Sequence, residues 1–565
     1  MNRREFIKNM AAAAGSVSPL VKYGTGLTLG TQMAFGADPG FSDGYKALVI
    51  VNLDGGNDAM NMFIPTEATT HSAYKGHRGS IAIEKADLYD TLNSKLDSSG
   101  YFTASSASDN PYDNTVAKFI EDNESYADNG DDKDYAPDSN MAAMYRKGSY
   151  HLTDIEGDKI GLGINGVMPE FAALYKKGIL SVVSNVGTLI KPTTREDKGD
   201  VNHPIPQFLY AHNIQERAVE TAQADGTQTT GWAGRIADAW QGVNDPIGLN
   251  ISYKGNNGML IGALTSPVVM TTPNLESATP SSKPTSFVSP NEGGDKYEVM
   301  LNRTADLSII NKFMNYYTNT LKSAGDLSTK LGTNWGDELT FSATNSYGGQ
   351  LFIPPKAEKL YEAESRKELN YSLFEQFSAA TKMINLGSTT LGHSRQIIYV
   401  ELGGFDGHSA ATIDHNMNLR SVSLAVSDFY KALEDKGLAD KVLIASVSEM
   451  GRTVVSNGDG TDHGWGGHSF ILSGDENFNG GKTFGTVMTD LSIKVNDEDN
   501  ATNMTPEKSA NPKGKVIPTT SYEQMLAPCL KWFGVSESLM STVLPNLANF
   551  KDDVNTGNLE SMFTT

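Results

Sequence analysis

A single cysteine, Cys529, stands in a chain of 565 residues. Neither an intrachain disulfide nor a zinc–thiolate cluster is therefore available to staple the fold. Long apolar runs are missing too. Beyond the N-terminal region no segment holds the 18 or so uninterrupted apolar residues that a membrane span needs. Basic residues are scarce, 46 Lys and Arg against 67 Asp and Glu, for a formal net charge of −21. Such a balance argues against nucleic acid and against anionic membrane surfaces as partners, since both repel an acidic protein. Stability must then come from a core. A bound divalent cation would suit the acidic excess, although acidic surfaces also serve solubility alone.

The N-terminus reads Asn2-Arg3-Arg4-Glu5-Phe6-Ile7-Lys8, followed by a mildly apolar stretch from Met10 to Phe35 rich in Ala, Gly and Thr. Paired arginines, a hydrophobic residue two places on and a trailing Lys form the twin-arginine export pattern. Ala34-Phe35-Gly36 and Ala37 offer small residues to a signal peptidase. The reading is a signal peptide over residues 1–36 and a periplasmic or secreted mature chain. Loss of this leader, with Arg3, Arg4, Lys8 and Lys22 against Glu5, brings the net charge to about −24. The remaining residues, 37–565, are expected to form one domain with insertions at about 66–160 and 243–355.

Apolar runs bounded by Gly and Asp place buried strands at Ala47–Leu53, Ile179–Val186, Gln396–Leu402, Lys441–Val447 and Ser469–Leu472. Helical spacing falls at Pro169–Lys177, near 300–323 and 357–386, at about 417–436, and near 521–533, read as the last helix. This alternation predicts an α/β fold, a mostly parallel central sheet flanked by helices. Residues 66–160 are rich in Asp, Asn, Ser and Tyr and read as an insertion or mobile lobe. No internal repeat of fixed period is present.

Metal-capable residues follow three of these strands, where open α/β sheets place ligands. The first strand ends in Asp54-Gly55-Gly56-Asn57-Asp58, the third in Glu401-Leu-Gly-Gly-Phe-Asp406-Gly-His408, and the fourth in Glu449, then Gly451-Arg452. A Gly-rich loop, Asn457 to His468, carries Asp462, His463 and His468 directly into the fifth strand. Four of the ten histidines fall within 408–415 and 463–468. Carboxylate and imidazole are the donors that suit zinc, manganese or iron without thiolates. The bland alternative is that Asp and Gly here only form turns, which fits Asp58 and Asp459 well, and that His415 lies on a solvated loop or helix start.

The segments Asp54 to Asn61, Glu401 to His408, Ser448 to Thr453 and Asp462 to His468, with Ile517 to Ser521 and Trp532 to Val535 near the end, resemble the family called domain of unknown function 1501. Members typically carry twin-arginine signals, and many are encoded beside a second large exported protein. That family in turn resembles the alkaline phosphatase superfamily, sulfatases included, whose sheet holds one or two metals. The resemblance implies Asp54, Glu401, Asp406 and His408 as ligands. Two placements compete for the rest. Glu449 takes an Asp place with His463 as the late His, or Asp462-His463 is the pair and His468 the late His. Glu449 closes a strand as a superfamily ligand does, which favours the first. The resemblance also implies a nucleophile at a helix start, where many members have Ser-His. Here the pair is Ala211-His212. Thr188, Thr193 and Thr194 are substitutes without motif support, and Cys529 is expected to be buried far away.

Two functions are carried forward. One is a metal-dependent hydrolase of small anionic phosphate or sulfate esters, with one or two zinc or manganese ions, Arg452 neutralising the ester and His212 beside it. The other is a non-catalytic binding or assembly component that docks a second exported protein. Export is the part tested most simply. Arg3→Lys with Arg4→Lys is expected to hold the precursor in the cytoplasm, as read by immunoblotting cell fractions. Full export of that variant would overturn the assignment of the leader.

Overall fold

The computed structural model describes residues 41–103, 148–153, 159–194, 196–197, 200–244, 247–270, 272–273, 330–331, 334–335, 339–353, 369–409, 411–488, 491, 494–496, 501–503 and 514–564. The expected leader, most of the polar run before residue 148 and the helix expected near 300–323 lie outside the described residues. The strands are β1 Lys46–Leu53, β2 Phe63–Pro65, β3 Ser149–Thr153, β4 Lys159–Asn165, β5 Leu180–Gly187, β6 Asn250–Ser252, β7 Val268–Val269, β8 Arg395–Leu402, β9 Val442–Val447, β10 Arg452–Ser456, β11 Thr461–His463, β12 Gly467–Ser473, β13 Thr483–Phe484, β14 Lys494–Asn496, β15 Ala501–Asn503 and β16 Thr520–Ser521. The longer helices are α1 Ala68–Arg78, α2 Pro169–Lys176, α3 His212–Thr221, α4 Trp232–Ala239, α5 Ser372–Thr389, α6 Ala411–Asp435 and α7 Tyr522–Phe533.

Seven consecutive residues of β1, Ala47 to Leu53, are buried, as a strand covered on both faces requires. It lies at the middle of a sheet ordered β13-β5-β12-β9-β1-β8-β6-β7, with β16 beside β5. β1 runs parallel to β8 and β9. β12 runs antiparallel to both β5 and β9. The architecture is thus α/β with a mostly parallel sheet.

Period-two alternation sends Val49, Val51 and Val400 to one face, against Phe171 of α2, Phe377 of α5 and Phe429 of α6. The Phe377 and Phe429 rings stack with centroids 4.5 Å apart. Leu48, Ile50 and Tyr399 go to the other face, beneath Val219 of α3, Trp232 and Ile236 of α4, and Leu526 and Leu530 of α7. Cys529 is buried in α7, as expected.

Some local expectations need correcting. α6 begins at Ala411, ahead of the expected 417, and α7 is not the last helix, since Glu537–Val543 and Val554–Glu560 follow. The Gly-rich run after β9 is not a plain loop. Its ends pair as the β10–β11 hairpin. The described parts of 66–160 pack closely. α1 brings Tyr74 against Ile83, and β2, β4 and β3 form their own antiparallel sheet. Asp58 does more than form a turn, because it makes a buried ion pair with Arg78. His415 is not solvated. It is buried, its Nε2 3.0 Å from the Asn57 Oδ1.

His468 lies on β12 facing β5, its Nδ1 3.2 Å from both the Asn185 amide and the Ser184 hydroxyl. Burial, opposed by Asp58, holds this imidazole down at about 4. A depressed histidine contributes stability that is full above the ordinary value of 6.5 and lost as pH falls toward 4, because the unfolded chain binds the extra proton. His468→Gln should flatten the dependence of unfolding free energy on pH in that window by one proton's slope, about 1.4 kcal/mol per pH unit. Urea titrations in chelator, compared with the unmutated chain, measure this. Parallel curves would place the proton elsewhere.

Candidate metal centre

In-register pairing aligns the ends of three strands. Leu53 faces Leu402, and Asn52 faces both Glu401 and Val447. Asp54, the 403–409 loop and the 448–451 turn therefore emerge together at the carboxyl edge of the sheet. Gly55 permits the closest approach there. Its φ is +110°, and a Cβ would stand 2.6 Å from the Asp406 amide nitrogen, which only glycine tolerates. The β10–β11 hairpin docks on the same loop. Thr461 donates its amide to the Gly407 carbonyl (3.0 Å), and Asn457 donates its side-chain amide to the His408 carbonyl (3.0 Å).

These contacts bring His212, Asp406 and His463 into one group. The two Nε2 atoms are 3.1 Å apart. Asp406 Oδ1 lies 3.2 Å from His463 Nε2, and Asp406 Oδ2 lies 3.6 Å from His212 Nε2. Ligands held tetrahedrally at about 2.0 Å from a zinc ion stand about 3.3 Å from one another. His408 adjoins this group from the exposed side, its Nε2 2.9 Å from His463 Nε2 and 3.1 Å from Asp406 Oδ1.

The other nitrogen of each ring decides what faces inward. His463 Nδ1 donates to the Tyr210 carbonyl (2.8 Å), an atom that can only accept. His212 Nδ1 donates to Glu449 Oε1 (2.8 Å), which also accepts the Gly55 amide (2.8 Å). With the proton fixed on Nδ1, each neutral ring presents a bare Nε2 lone pair. Two lone pairs 3.1 Å apart beside a carboxylate repel one another unless a cation or proton sits between them. A carbonyl or carboxylate behind each imidazole is how metal-binding histidines are oriented. Burial, with the charges of Arg452 and His212 adding, keeps His463 below the usual imidazole range, which favours the neutral form a metal takes. Burial pushes Asp406 up, but the hydrogen bond and charge of Arg452 hold it below the usual carboxylate range. The donor set and its geometry fit a divalent transition ion.

Arg452 takes a different part from the one expected. Its side chain is fully buried, and its donors turn inward. Nε reaches the Gly56 carbonyl (2.8 Å), one terminal nitrogen the Thr461 carbonyl (3.2 Å), and the other the Gly55 and Phe405 carbonyls (2.7 and 3.2 Å) together with Asp406. It cannot neutralise a ligand while it ties three loops together.

The remaining candidates disperse. Asp54 sits at the same edge, its Oδ2 beside Gly403. Glu401 accepts the Tyr399 hydroxyl (2.6 Å) on the side of the sheet that α3 covers. Glu449 stands behind His212 as an orienting carboxylate. Asp462 lies 3.6 Å from His408 Nδ1. His468 is in the core between β5 and β12 and takes no part in the cluster. Ala211 is the N-cap of α3, without a side-chain cap bond. The threonine hydroxyls are engaged locally, Thr188 with Gln215, Thr193 with the Lys191 carbonyl and Thr194 with Asp197. Sequence reasoning missed Tyr210, whose contribution is a backbone carbonyl and leaves no motif. Tyr210 and Phe208 both have positive φ, 79° and 48°, a strained turn for bulky residues.

Residues 356–505 match the family described as Protein of unknown function (DUF1501). No curated protein matches the chain. The matched stretch carries Asp406, His408, Glu449, Arg452 and His463, whereas Asp54 and His212 lie ahead of it.

Arg452→Lys keeps the charge but cannot reach all these carbonyls at once. Its zinc affinity, measured by competition with a chromophoric chelator, should fall roughly 10- to 100-fold. Unchanged affinity would mean that Asp406 is held without it.

Proposed function

We propose that this is an exported metal-binding protein whose cluster of His212, Asp406 and His463 holds one divalent transition ion, zinc or manganese, and that the site hydrolyses a phosphate or sulfate ester. The observation that carries the reading is the pair of imidazoles locked by Glu449 and Tyr210 so that both Nε2 lone pairs aim at one carboxylate. When bound, such an ion supplies Lewis acidity that polarises the ester oxygen. The resemblance to the alkaline phosphatase superfamily supports the reaction class, and the strand-end position of the cluster agrees with it.

The chain's own residues set what else is possible. His212 and His463 orient through Nδ1 and contribute Nε2. Exposed His408, with Asp462 behind it, is placed to take up or release a proton at Nε2. Ala211 offers a methyl group where a hydroxyl would attack, so water is the attacking group and no covalent enzyme intermediate forms. The alternative is a non-catalytic component that keeps the metal and docks a second exported protein, and the methyl group at that helix start favours it.

Elemental analysis of the mature protein purified without chelator should give about one divalent ion per chain. His463→Ala and Asp406→Ala should each lower that content and remove the thermal shift on adding zinc, a stabilisation of about 2.7 kcal/mol when zinc is at 100 times its Kd. His415→Ala should leave metal content unchanged while lowering stability. Protein without metal and without a zinc shift would sink the proposal. With metal present, turnover on a panel of phosphate and sulfate esters separates hydrolase from assembly component. Ala211→Ser is expected to raise the rate. A covalent adduct on the unmutated chain by intact-mass spectrometry would show that a nucleophile exists elsewhere.

A further inference from the structure

The loop between β5 and α3 carries a second group of reactive side chains, outside the metal centre. Its sequence places Thr193 after Pro192, then Asp197, and His203 just before Pro204. Each proline fixes its own φ and narrows the backbone of the residue before it. His203 is restrained in this way, and Thr193 follows a stiff link. The base of the loop is tied down as well. Asn546 and Asn549 donate their side-chain amides to the Leu189 and Ile190 carbonyls (2.7 and 2.9 Å).

Within this loop three side chains stand in line. His203 Nε2 is 3.0 Å from the Thr193 hydroxyl oxygen, and His203 Nδ1 is 3.4 Å from Asp197 Oδ1. The other Asp197 oxygen accepts the Thr194 hydroxyl and amide, both at 2.8 Å. Those bonds hold Asp197 below the usual carboxylate range, so it is ionised and only accepts. An acceptor beside Nδ1 draws the imidazole proton to that nitrogen and leaves Nε2 bare. A bare Nε2 at 3.0 Å repels the lone pairs of the hydroxyl oxygen unless the hydroxyl hydrogen turns toward it. The Thr193 hydroxyl also lies 2.8 Å from the Lys191 carbonyl. Its single hydrogen is divided between these two acceptors, of which only the imidazole is a base. Loop bracing explains the contacts singly. Their order, hydroxyl to imidazole to carboxylate, is the one that activates a nucleophile. Burial sets the size of what reaches it, since Thr193 is 9 % exposed and the His203 side chain 7 %.

We propose that Thr193, His203 and Asp197 form an acyl-transfer centre that acts on small carboxylic esters and needs no metal. Thr193 Oγ1 attacks the ester carbonyl carbon, and His203 Nε2 takes the hydroxyl proton. That proton passes to the departing alcohol oxygen as its bond to carbon breaks, which leaves the acyl group on Thr193. Water then attacks the same carbon with the help of the same imidazole, releases the acid and restores the hydroxyl. The sum is one ester and one water to one acid and one alcohol, with no electron donor and no cofactor. Asp197 touches no reacting atom and is a positioning residue for the ring. The inference is independent of the reading given to the histidine cluster.

The test uses 4-nitrophenyl acetate on the mature protein in the presence of a chelator. Peptide mass spectrometry should find about one acetyl group per chain, on Thr193, formed as 4-nitrophenol is released. If the acyl group leaves too fast to accumulate, steady release of 4-nitrophenol that Thr193→Ala abolishes reads the same step. His203→Gln should slow the reaction about 100-fold. Asp197→Asn should slow it at least about tenfold, with part of the rate regained in Asp197→Glu. Thr193→Ser should keep the reaction. Circular dichroism, and metal content before chelation, show that the variants are folded. Where a variant misfolds, the position of the adduct in the unmutated chain and its loss in urea decide. Acetyl groups on lysines alone, or a Thr193 reaction equally fast in folded His203→Gln, overturn the proposal. So does a reaction that the chelator abolishes, which would make Thr193 part of the metal centre.

Discussion

The site depends on one buried guanidinium. Arg452 begins β10, and its donors reach carbonyls of the turn after β1, the loop after β8 and the start of β11, together with the Asp406 carboxylate. A charge so deeply buried is costly unless it is paired and hydrogen-bonded throughout. That cost fixes the relative positions of the three segments, because moving any of them leaves a donor or a carbonyl unmatched. The same contacts hold Asp406 ionised and close to His463. Gly55 and Gly460 allow the segments to pack so tightly. A Cβ on Gly460 would stand 2.3 Å from the His408 carbonyl.

Around this strut the site is built from groups that orient others. Glu449 and the Tyr210 carbonyl contribute by fixing the protons of His212 and His463. The strained turn through Phe208 and Tyr210 is the backbone cost of aiming that carbonyl.

The five core strands β1, β5, β8, β9 and β12 were legible because burial on both faces demands unbroken apolar runs, as in Ala47–Leu53 and Val442–Val447, and so were α2, α6 and α7, whereas α1, α3 and α4 were not read from the sequence. Asp406 and His463 were legible because they follow strands in a Gly-rich context, and His212 through its neighbour Ala211. Arg452 was picked out as a residue of the site, but its role was misread. Spacing tells that an Arg follows a strand, and not whether its donors face a ligand or three carbonyls. His468 was misplaced because it lies on β12, whose pairing with β5 carries it into the core, whereas His463 ends β11 beside the loop after β8.

The sequence by itself determined the acidic balance, the absence of thiolate and disulfide chemistry, the α/β alternation and the residue types available to bind a cation, since each follows from composition or local periodicity. Only the tertiary structure decided which imidazole nitrogens are bare, because that depends on a carbonyl and a carboxylate at sequence separations of 253 and 237 residues. It also decided that Arg452 serves the loops, because hydrogen bonds act through space and are indifferent to distance along the chain.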